Sequence, residues 1–222
     1  MFFHWLEKNP FYFAVMISIV ISFAGLLEIV PNFAQAARPL STETPKTVLE
    51  LAGKNIYVKD NCIACHSQMI RPFKSETDRY GKYSLSGEYA YDRPFLWGSK
   101  RTGPDLHRVG NYRTTDWHEN HMLDPKAMVP GSIMPAYKHM FTNVADIESA
   151  YAEAVTVKNA FFTPYGPEFK RTRAAWEAHR PKVIADAKKI ADDMKDERVK
   201  QAVANGEVPE IVAMIAYLNS LK

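Results

Sequence analysis

The sequence predicts an all-α protein with one N-terminal helix long enough to cross a membrane, followed by a helical domain that carries an additional charged helical segment. Three observations lead to this fold class. Residues 11–30 form a continuous apolar run, residues 46–60 and 183–194 place apolar side chains at helical spacing, and residues 209–221 form a compact apolar segment. A length of 222 residues fits one principal domain with additions.

Composition narrows the function classes. The chain has 28 basic and 25 acidic residues, a net charge of only +3, so we expect no nucleic-acid partner. The sequence contains no glycine-rich phosphate loop, no nucleophile elbow and no repeat period, which are the usual sequence signs of an enzyme. The chemistry must therefore come from another kind of site.

The N-terminal apolar run is interpreted as a retained membrane anchor in contact with the lipid bilayer. A twenty-residue run, broken only by Ser18, Ser22, Gly25 and Glu28, matches a bilayer core of about 30 Å, whereas the apolar core of a cleavable signal peptide has about 7 to 15 residues. Cleavage is the alternative, since Ala34 and Ala36 resemble a small-residue cleavage site. Lys8 is a weak cytoplasmic mark, and charge alone leaves the orientation ambiguous. Residues 11–30 are assigned to the span, and residues 1–10 before it are expected in the cytoplasm. Glu28, near the outer end, is expected at the membrane interface rather than against a partner helix.

The segments after the anchor are assigned in chain order. Residues 31–45 contain three prolines among Ser, Thr and Ala and predict an extended linker. Residues 46–60 predict a helix, in which Gly53 permits a close helix contact. Residues 71–110 lack a sustained period and predict an ordered loop, and 117–123 predict a short helix that ends before Pro125.

The C-terminal third is expected to be helical and charged. Residues 146–205 are interrupted at 163–167 by two prolines and a glycine, and we treat about 142–205 as a helical insertion in a domain spanning 46–222. Its amphipathic pattern favours a helix laid on the domain or a neighbour over a separate binding function. The last helix, 209–221, is expected to close the core by crossing the first domain helix near Gly53 and Tyr217.

The two cysteines form the most informative motif. Cys62 and Cys65 are followed directly by His66, the pattern of c-type haem attachment, in which two thioethers hold the porphyrin and the histidine binds iron. A redox dithiol is the alternative, but it does not require the histidine. The motif therefore predicts one covalently bound haem c, with His66 as an axial ligand, in a class I-like cytochrome c domain.

The second axial ligand is sought among the methionines at positions 69, 122, 128, 134, 140 and 214. Met69 lies only three residues from His66 and is expected on the same side of the iron. Met134 lies far downstream and precedes Pro135, which favours an extended loop that presents the thioether. Met134 is the candidate, with an ordinary core methionine as the alternative. Methionine-histidine ligation raises the reduction potential, as an electron carrier near the end of a respiratory chain requires.

Other polar residues are candidates for supporting roles. The Pro104 carbonyl is a candidate acceptor for the ligand imidazole. One or two of six arginines are candidates for the haem propionates, although any one of them is more often a surface residue: Arg71, Arg79, Arg93, Arg101, Arg108 and Arg113. His118 and His121 stand three apart rather than the four of a zinc-protease motif, so we expect structural or capping histidines.

Longer stretches resemble a known family, the monohaem cytochrome c subunit (subunit II) of cbb(3)-type cytochrome c oxidases. The resemblance lies in residues 61–73 (NCIACHSQMIRPF), residues 87–106 (GEYAYDRPFLWGSKRTGPDL), Trp117-His118 with His121, and residues 132–137 (SIMPAY). It covers the anchor and the chain to about Tyr137. Residues 141–205 are not matched to the family residue by residue, so their role rests on amphipathicity alone.

The resemblance implies a single uncleaved anchor in the bacterial inner membrane, a periplasmic haem domain, haem on Cys62 and Cys65, and iron ligated by His66 and Met134. It also implies two protein partners, an integral catalytic subunit with haem b and copper and a dihaem cytochrome c subunit. Electrons would pass from the dihaem subunit or a soluble cytochrome c through this haem to haem b, without catalysis by this chain alone. The 97–101 loop is expected to face the catalytic subunit.

Two other functions remain open at this stage. A free membrane-tethered cytochrome c shuttle would have no permanent partner. A haem sensor or peroxidase would need an open sixth position on the iron rather than a thioether.

Overall fold

The computed structural model describes residues 2–34, 39–40 and 42–222, and throughout these residues the regular elements are helices, so the all-α prediction is confirmed. The chain divides into two compact units, one ending at Arg38 and one running from Pro39 to Lys222. The described α-helices are α1 (Phe2–Lys8), α2 (Pro10–Ala34), α3 (Val48–Lys59), α4 (Lys74–Tyr80), α5 (Thr115–Leu123), α6 (Pro125–Met128), α7 (Ile147–Phe161), α8 (Arg173–Asp192), α9 (Glu197–Ala204) and α10 (Glu210–Ser220).

The N-terminal unit contains the helix that can span a membrane. Within α2, the 21 residues Pro10–Val30 are long and apolar enough to cross a bilayer, and their large side chains are exposed. The helix continues to Ala34, so the prediction of an extended linker from residue 31 is wrong for 31–34. A proline removes a hydrogen bond from the helical turn that precedes it. The residues after it keep their N–H groups, so the helix can continue. The linker residues 35–38 and 41, which include one alanine of the candidate cleavage site, lie outside the described residues.

The core of the second unit is the crossing of α3 and α10, as predicted. A capping box starts α3, because the Thr47 hydroxyl accepts from Glu50 N at 3.3 Å and Glu50 Oε2 accepts from Thr47 N at 2.7 Å. At the crossing, a Cβ on Gly53 would lie 2.0 Å from the Ala213 carbonyl oxygen and 2.7 Å from Tyr217 Cβ. Only glycine at position 53 therefore allows the two helices to approach this closely.

The 71–110 region is more helical than the loop that the sequence predicts. It contains α4 and two 3-10 turns, Ser86–Tyr89 and Val109–Asn111. Helix α4 has no apolar stripe that periodicity could detect. Its Glu76 is buried and instead accepts hydrogen bonds from Arg71 N at 2.8 Å and from Arg101 Nη2 at 2.7 Å. This short helix thus depends on one partner just before it, Arg71, and on one that is distant in sequence, Arg101.

The predicted short helix at 117–123 is confirmed as α5. The Thr114 hydroxyl caps it by accepting from Trp117 N at 3.3 Å. Pro125 is the first residue of α6, which Asp124 caps. Further along the chain, a 3-10 turn, Lys138–Phe141, precedes the charged segment.

The charged segment forms α7, α8 and α9, and the predicted break at 163–167 is present. A second break between Asp192 and Glu197 was not predicted. The apolar side of the segment belongs to the same core as α10, through Trp176, Val183, Ala187, Ala191, Met194, Val199 and Val203. The prediction that its amphipathic helix lies on the domain is therefore confirmed.

Candidate haem site

A cleft opens beside the cysteine motif, between the elements that form the core crossing. Helices α3, α5 and α10, the cysteine turn and the loops around residues 104 and 134 all contribute to it. Its lining includes Tyr57, Cys62, His66, Met122, Met134 and Leu218. The sequence-predicted residues from three distant parts of the chain are thus brought to one cavity.

The cysteine motif folds into a tight turn that brings His66 to this cleft. Asn61 opens the turn in the left-handed region at φ 57°, a conformation that asparagine tolerates. The Cys62 carbonyl then accepts from Cys65 N at 3.1 Å and from His66 N at 3.0 Å. The two cysteines form no disulfide bond; Cys62 is buried and Cys65 is exposed. Burial raises the pKa of the Cys62 thiol to about 12.

His66 is held in one orientation by the loop at 103–105. Its Nδ1 lies 2.8 Å from the Pro104 carbonyl oxygen, which can only accept, so Nδ1 carries the proton and Nε2 is left with its lone pair. Burial lowers the pKa of His66, while the Pro104 carbonyl partly opposes this shift. A neutral imidazole with Nδ1–H bound to a carbonyl is the usual state of a histidine that ligates a metal through Nε2.

Gly103 makes this arrangement possible. Its N–H donates to the Cys65 carbonyl at 2.8 Å, which draws the loop against the motif. A Cβ at residue 103 would lie 2.3 Å from His66 Cε1 and 2.7 Å from His66 Nδ1. The imidazole therefore packs directly on the glycine backbone.

Asp105 connects the loop to the motif; the sequence indicated the 103–106 segment as a neighbour of the haem but gave a role only to Pro104. Its side chain is 1% exposed. It accepts from Ser67 Oγ at 2.6 Å, from Met69 N at 2.8 Å and from His107 N at 2.9 Å. These charge-assisted bonds tie Ser67 and Met69, which follow His66, to the 105–107 loop.

The structure reduces the six candidate methionines to two that line the cleft, Met134 and Met122. Met134 is half-buried against the core, in a loop where its N–H donates to Ser132 Oγ at 3.2 Å. Met140 and Met214 are fully buried in the core. Met69 and Met128 are not among the cleft residues, in agreement with the expectation that Met69 lies away from the sixth position.

His118 and His121 also face the cleft, which the sequence did not predict. Both are in α5, and neither caps a helix. The His118 Nε2 and His121 Nδ1 atoms are buried without a hydrogen-bond partner in the described structure. Within the described residues no group of three or more His, Cys, Asp or Glu is placed to hold a metal ion, so these two histidines do not form a metal cluster.

These observations fit a haem. The cleft is lined by the oriented imidazole of His66, the methionine side chains of Met122 and Met134, and the buried Cys62. Apolar side chains also line it, and two buried histidine nitrogens lack a hydrogen-bond partner within the described residues. An all-helical domain with a Cys-x-x-Cys-His turn on such a cleft is the arrangement of a monohaem c-type cytochrome.

Comparison with known proteins agrees with this class. Residues 3–222 match the family described as "Cytochrome C oxidase, mono-heme subunit/FixO". The chain belongs to this family, and the match extends over residues 141–205, which show no residue-by-residue resemblance to the family by inspection of the sequence. No curated protein matches the chain in a sequence search. The family assigns to the chain one haem, a role in electron transport and membership of a cytochrome c oxidase complex.

Proposed function

We propose that this chain is the electron-transfer subunit of a cbb(3)-type haem-copper oxidase, with one haem c attached to Cys62 and Cys65 and its iron ligated by His66 and Met134. The observation that carries the proposal is the His66–Pro104 hydrogen bond, because it presents Nε2 to a cleft that Met134 also lines. Haem, when bound, supplies a reversible one-electron change at iron. The chain itself performs no bond chemistry on a substrate.

The residues of the chain set the conditions for that electron transfer. The Pro104 carbonyl fixes the orientation of His66 and raises its basicity as a ligand. A thioether from Met134 favours the reduced state of iron and raises the potential. The apolar side chains of Leu106, Val109 and Leu218 line the cleft and exclude water.

The 97–101 loop is proposed as the side that faces the catalytic subunit. Trp97 is 40% exposed and stacks on Phe95, which is 45% exposed, with ring centroids 4.7 Å apart. The loop lies against the cysteine motif, because Gln68 N donates to the Trp97 carbonyl at 2.9 Å. Exposed aromatic rings beside the haem motif suit a permanent protein interface.

The route and placement follow from this assignment. Electrons arrive from the dihaem cytochrome c subunit or a soluble cytochrome c, and leave for haem b of the integral subunit. Residues 1–10 lie in the cytoplasm, α2 crosses the bacterial inner membrane, and the domain lies in the periplasm, where c-type haem is attached.

Purification of the native complex tests the proposal. The chain, with an affinity tag at its C-terminus, is isolated from membranes in mild detergent, and reduced-minus-oxidised spectra are recorded. We expect b-type haem, copper and a dihaem subunit to co-purify. Isolation of the chain with only its own haem would instead show a tethered shuttle, and a chain without haem would reject the proposal entirely.

The axial ligand is tested by Met134→Leu, with Met122→Leu and Met69→Leu as matched controls. Loss of the thioether opens the sixth position, so the reduced Met134→Leu protein is expected to bind carbon monoxide and to have a lower potential. The controls are expected to behave as the unsubstituted protein. Carbon monoxide binding by Met122→Leu, but not by Met134→Leu, would move the assignment to Met122.

A further inference from the structure

The cleft lining combines apolar side chains with a cluster of cationic and hydrogen-bonding groups. Tyr80, Tyr112, Arg113, Arg79 and His118 all line it, and the charges of Arg79 and Arg113 both act on Tyr112. A haem has complementary features, because its ring is apolar and its two carboxylates lie at one edge. Buried or half-buried carboxylates require paired cations or hydrogen-bond donors.

The structure separates the six candidate arginines by their partners. Four are not among the cleft residues and have other partners: Arg71 and Arg101 pair with Glu76, Arg108 pairs with Glu88, and Arg93 lies over the rings of Phe95 and Phe161. Arg101 also lies over the ring of Tyr80, a cleft residue, but its N–H groups are taken by Glu76, Ser67 and the Met69 carbonyl. The other two, Arg79 and Arg113, both line the cleft. In the described part of the chain their guanidinium groups form neither an ion pair nor a hydrogen bond; each lies over an aromatic ring.

A stack of rings fixes the position of Arg113. Its guanidinium carbon lies 4.2 Å from the centroid of the Trp117 ring, and Trp117 stacks on His121 with centroids 4.4 Å apart. Trp117 and His121 are spaced four apart on one face of α5, and Arg113 lies two residues before the helix begins. A guanidinium stacked on a ring keeps its in-plane N–H groups free, and these groups match a carboxylate in a bidentate manner.

His118 provides an independent sign of a missing partner. The side chain is 2% exposed, lines the cleft, and its Nε2 has no partner in the described structure. Burial lowers the pKa of His118 to about 4, so the imidazole is neutral and one of its nitrogens carries a proton to donate. A buried polar group without a partner destabilises the protein, and an acceptor on a ligand would relieve that cost.

We propose that Arg79 and Arg113 bind the two haem carboxylates and that His118 Nε2 donates a hydrogen bond to one of them. This inference rests on the proposed function, since it assigns the part of the cleft that receives the carboxylate edge. Each arginine offsets one negative charge close to the iron. Loss of an arginine leaves that charge uncompensated, which stabilises ferric over ferrous iron and lowers the midpoint potential.

The test uses the purified complex with haem carrying ¹³C in its carboxylates. Redox-difference infrared spectra identify the labelled carboxylate bands, and a potentiometric titration gives the midpoint potential of the c-type haem. The variants are Arg113→Gln, Arg79→Gln and His118→Phe, which keeps a ring but removes the donor. Arg93→Gln is the matched control, because Arg93 does not line the cleft.

We expect the labelled bands to shift in the three cleft variants and not in Arg93→Gln, and the potential to fall in both arginine variants. Arg113→Lys, which restores the charge without the bidentate geometry, is expected to recover part of the potential while the band remains shifted. This variant also keeps the test available if Arg113→Gln does not accumulate.

Two negative results are distinguishable. Unsubstituted protein without attached haem would reject the proposed function and this inference together. If haem is attached, but its labelled bands and its potential are the same in the cleft variants, in Arg113→Lys and in the unsubstituted protein, the inference alone is overturned.

Discussion

Replacement of Gly103 by alanine is expected to displace His66 from its ligating position. The added Cβ would lie 2.3 Å from His66 Cε1, 2.7 Å from Nδ1 and 2.8 Å from Nε2. Ordinary contact begins near 3.4 Å, so the ring or the loop must move by about 1 Å. The φ angle of Gly103 is not in the left-handed region, so the alanine tests this close approach and not backbone strain.

The cost follows from two terms. Overpacking a filled site costs about 1–3 kcal/mol, and loss of the His66–Pro104 hydrogen bond, 2.8 Å long, costs about 1 kcal/mol. We therefore expect a loss of about 2–4 kcal/mol in the free energy of unfolding, measured by guanidinium titration in detergent. A parallel optical titration should show a weakened axial ligand.

Gly25→Ala is the matched control for this substitution, because a Cβ at residue 25 meets nothing within 4 Å. It is expected to leave the spectrum and potential of the haem unchanged. A Gly103→Ala protein with the unsubstituted spectrum and stability would refute the argument that His66 packs on this glycine.

Two further predictions concern the fold around the site. Gly53→Ala puts a Cβ 2.0 Å from the Ala213 carbonyl oxygen, so α3 and α10 must separate. We expect the free energy of unfolding to fall by about 3 kcal/mol or more in a denaturant titration, and a loss below about 1 kcal/mol would contradict this prediction. The hydrogen bond from Arg101 lowers the pKa of Glu76 from 4.5 to about 2. The stability from this depressed pKa is present above pH 4.5 and is lost as the pH falls toward 2, and Glu76→Gln should remove that pH dependence of unfolding; an unchanged dependence would count against the ion pair.

Much of the scaffold could be predicted because its signals are local. The anchor and the helices α3, α5 and α10 have apolar periodicity or clear caps. Gly53 marks the place where α3 and α10 come into close contact. The interruption at 163–167 was visible from proline and glycine.

The features that the sequence did not predict depend on contacts between distant segments. Helix α4 has no apolar stripe and is held by Glu76 with Arg71 and Arg101. The roles of Asp105 and His118 come from tertiary neighbours, since a buried unpartnered nitrogen has no local signature.

The cysteine motif and the candidate ligand Met134 could be predicted from residue type and spacing, and the structure places Cys62, His66 and Met134 on one cleft, together with Met122. The sequence could not choose between Met134 and its rivals on geometry. That choice depends on which methionines are packed in the core, where Met140 and Met214 are fully buried.

Alkylation of the denatured protein tests the central claim most directly. The chain is unfolded, reduced and treated with iodoacetamide, and the peptide that contains Cys62, Cys65 and His66 is analysed by mass spectrometry. We expect this peptide to carry one haem and no alkyl group on either sulfur, because both form thioethers. A peptide with two alkylated cysteines and no haem would contradict the account.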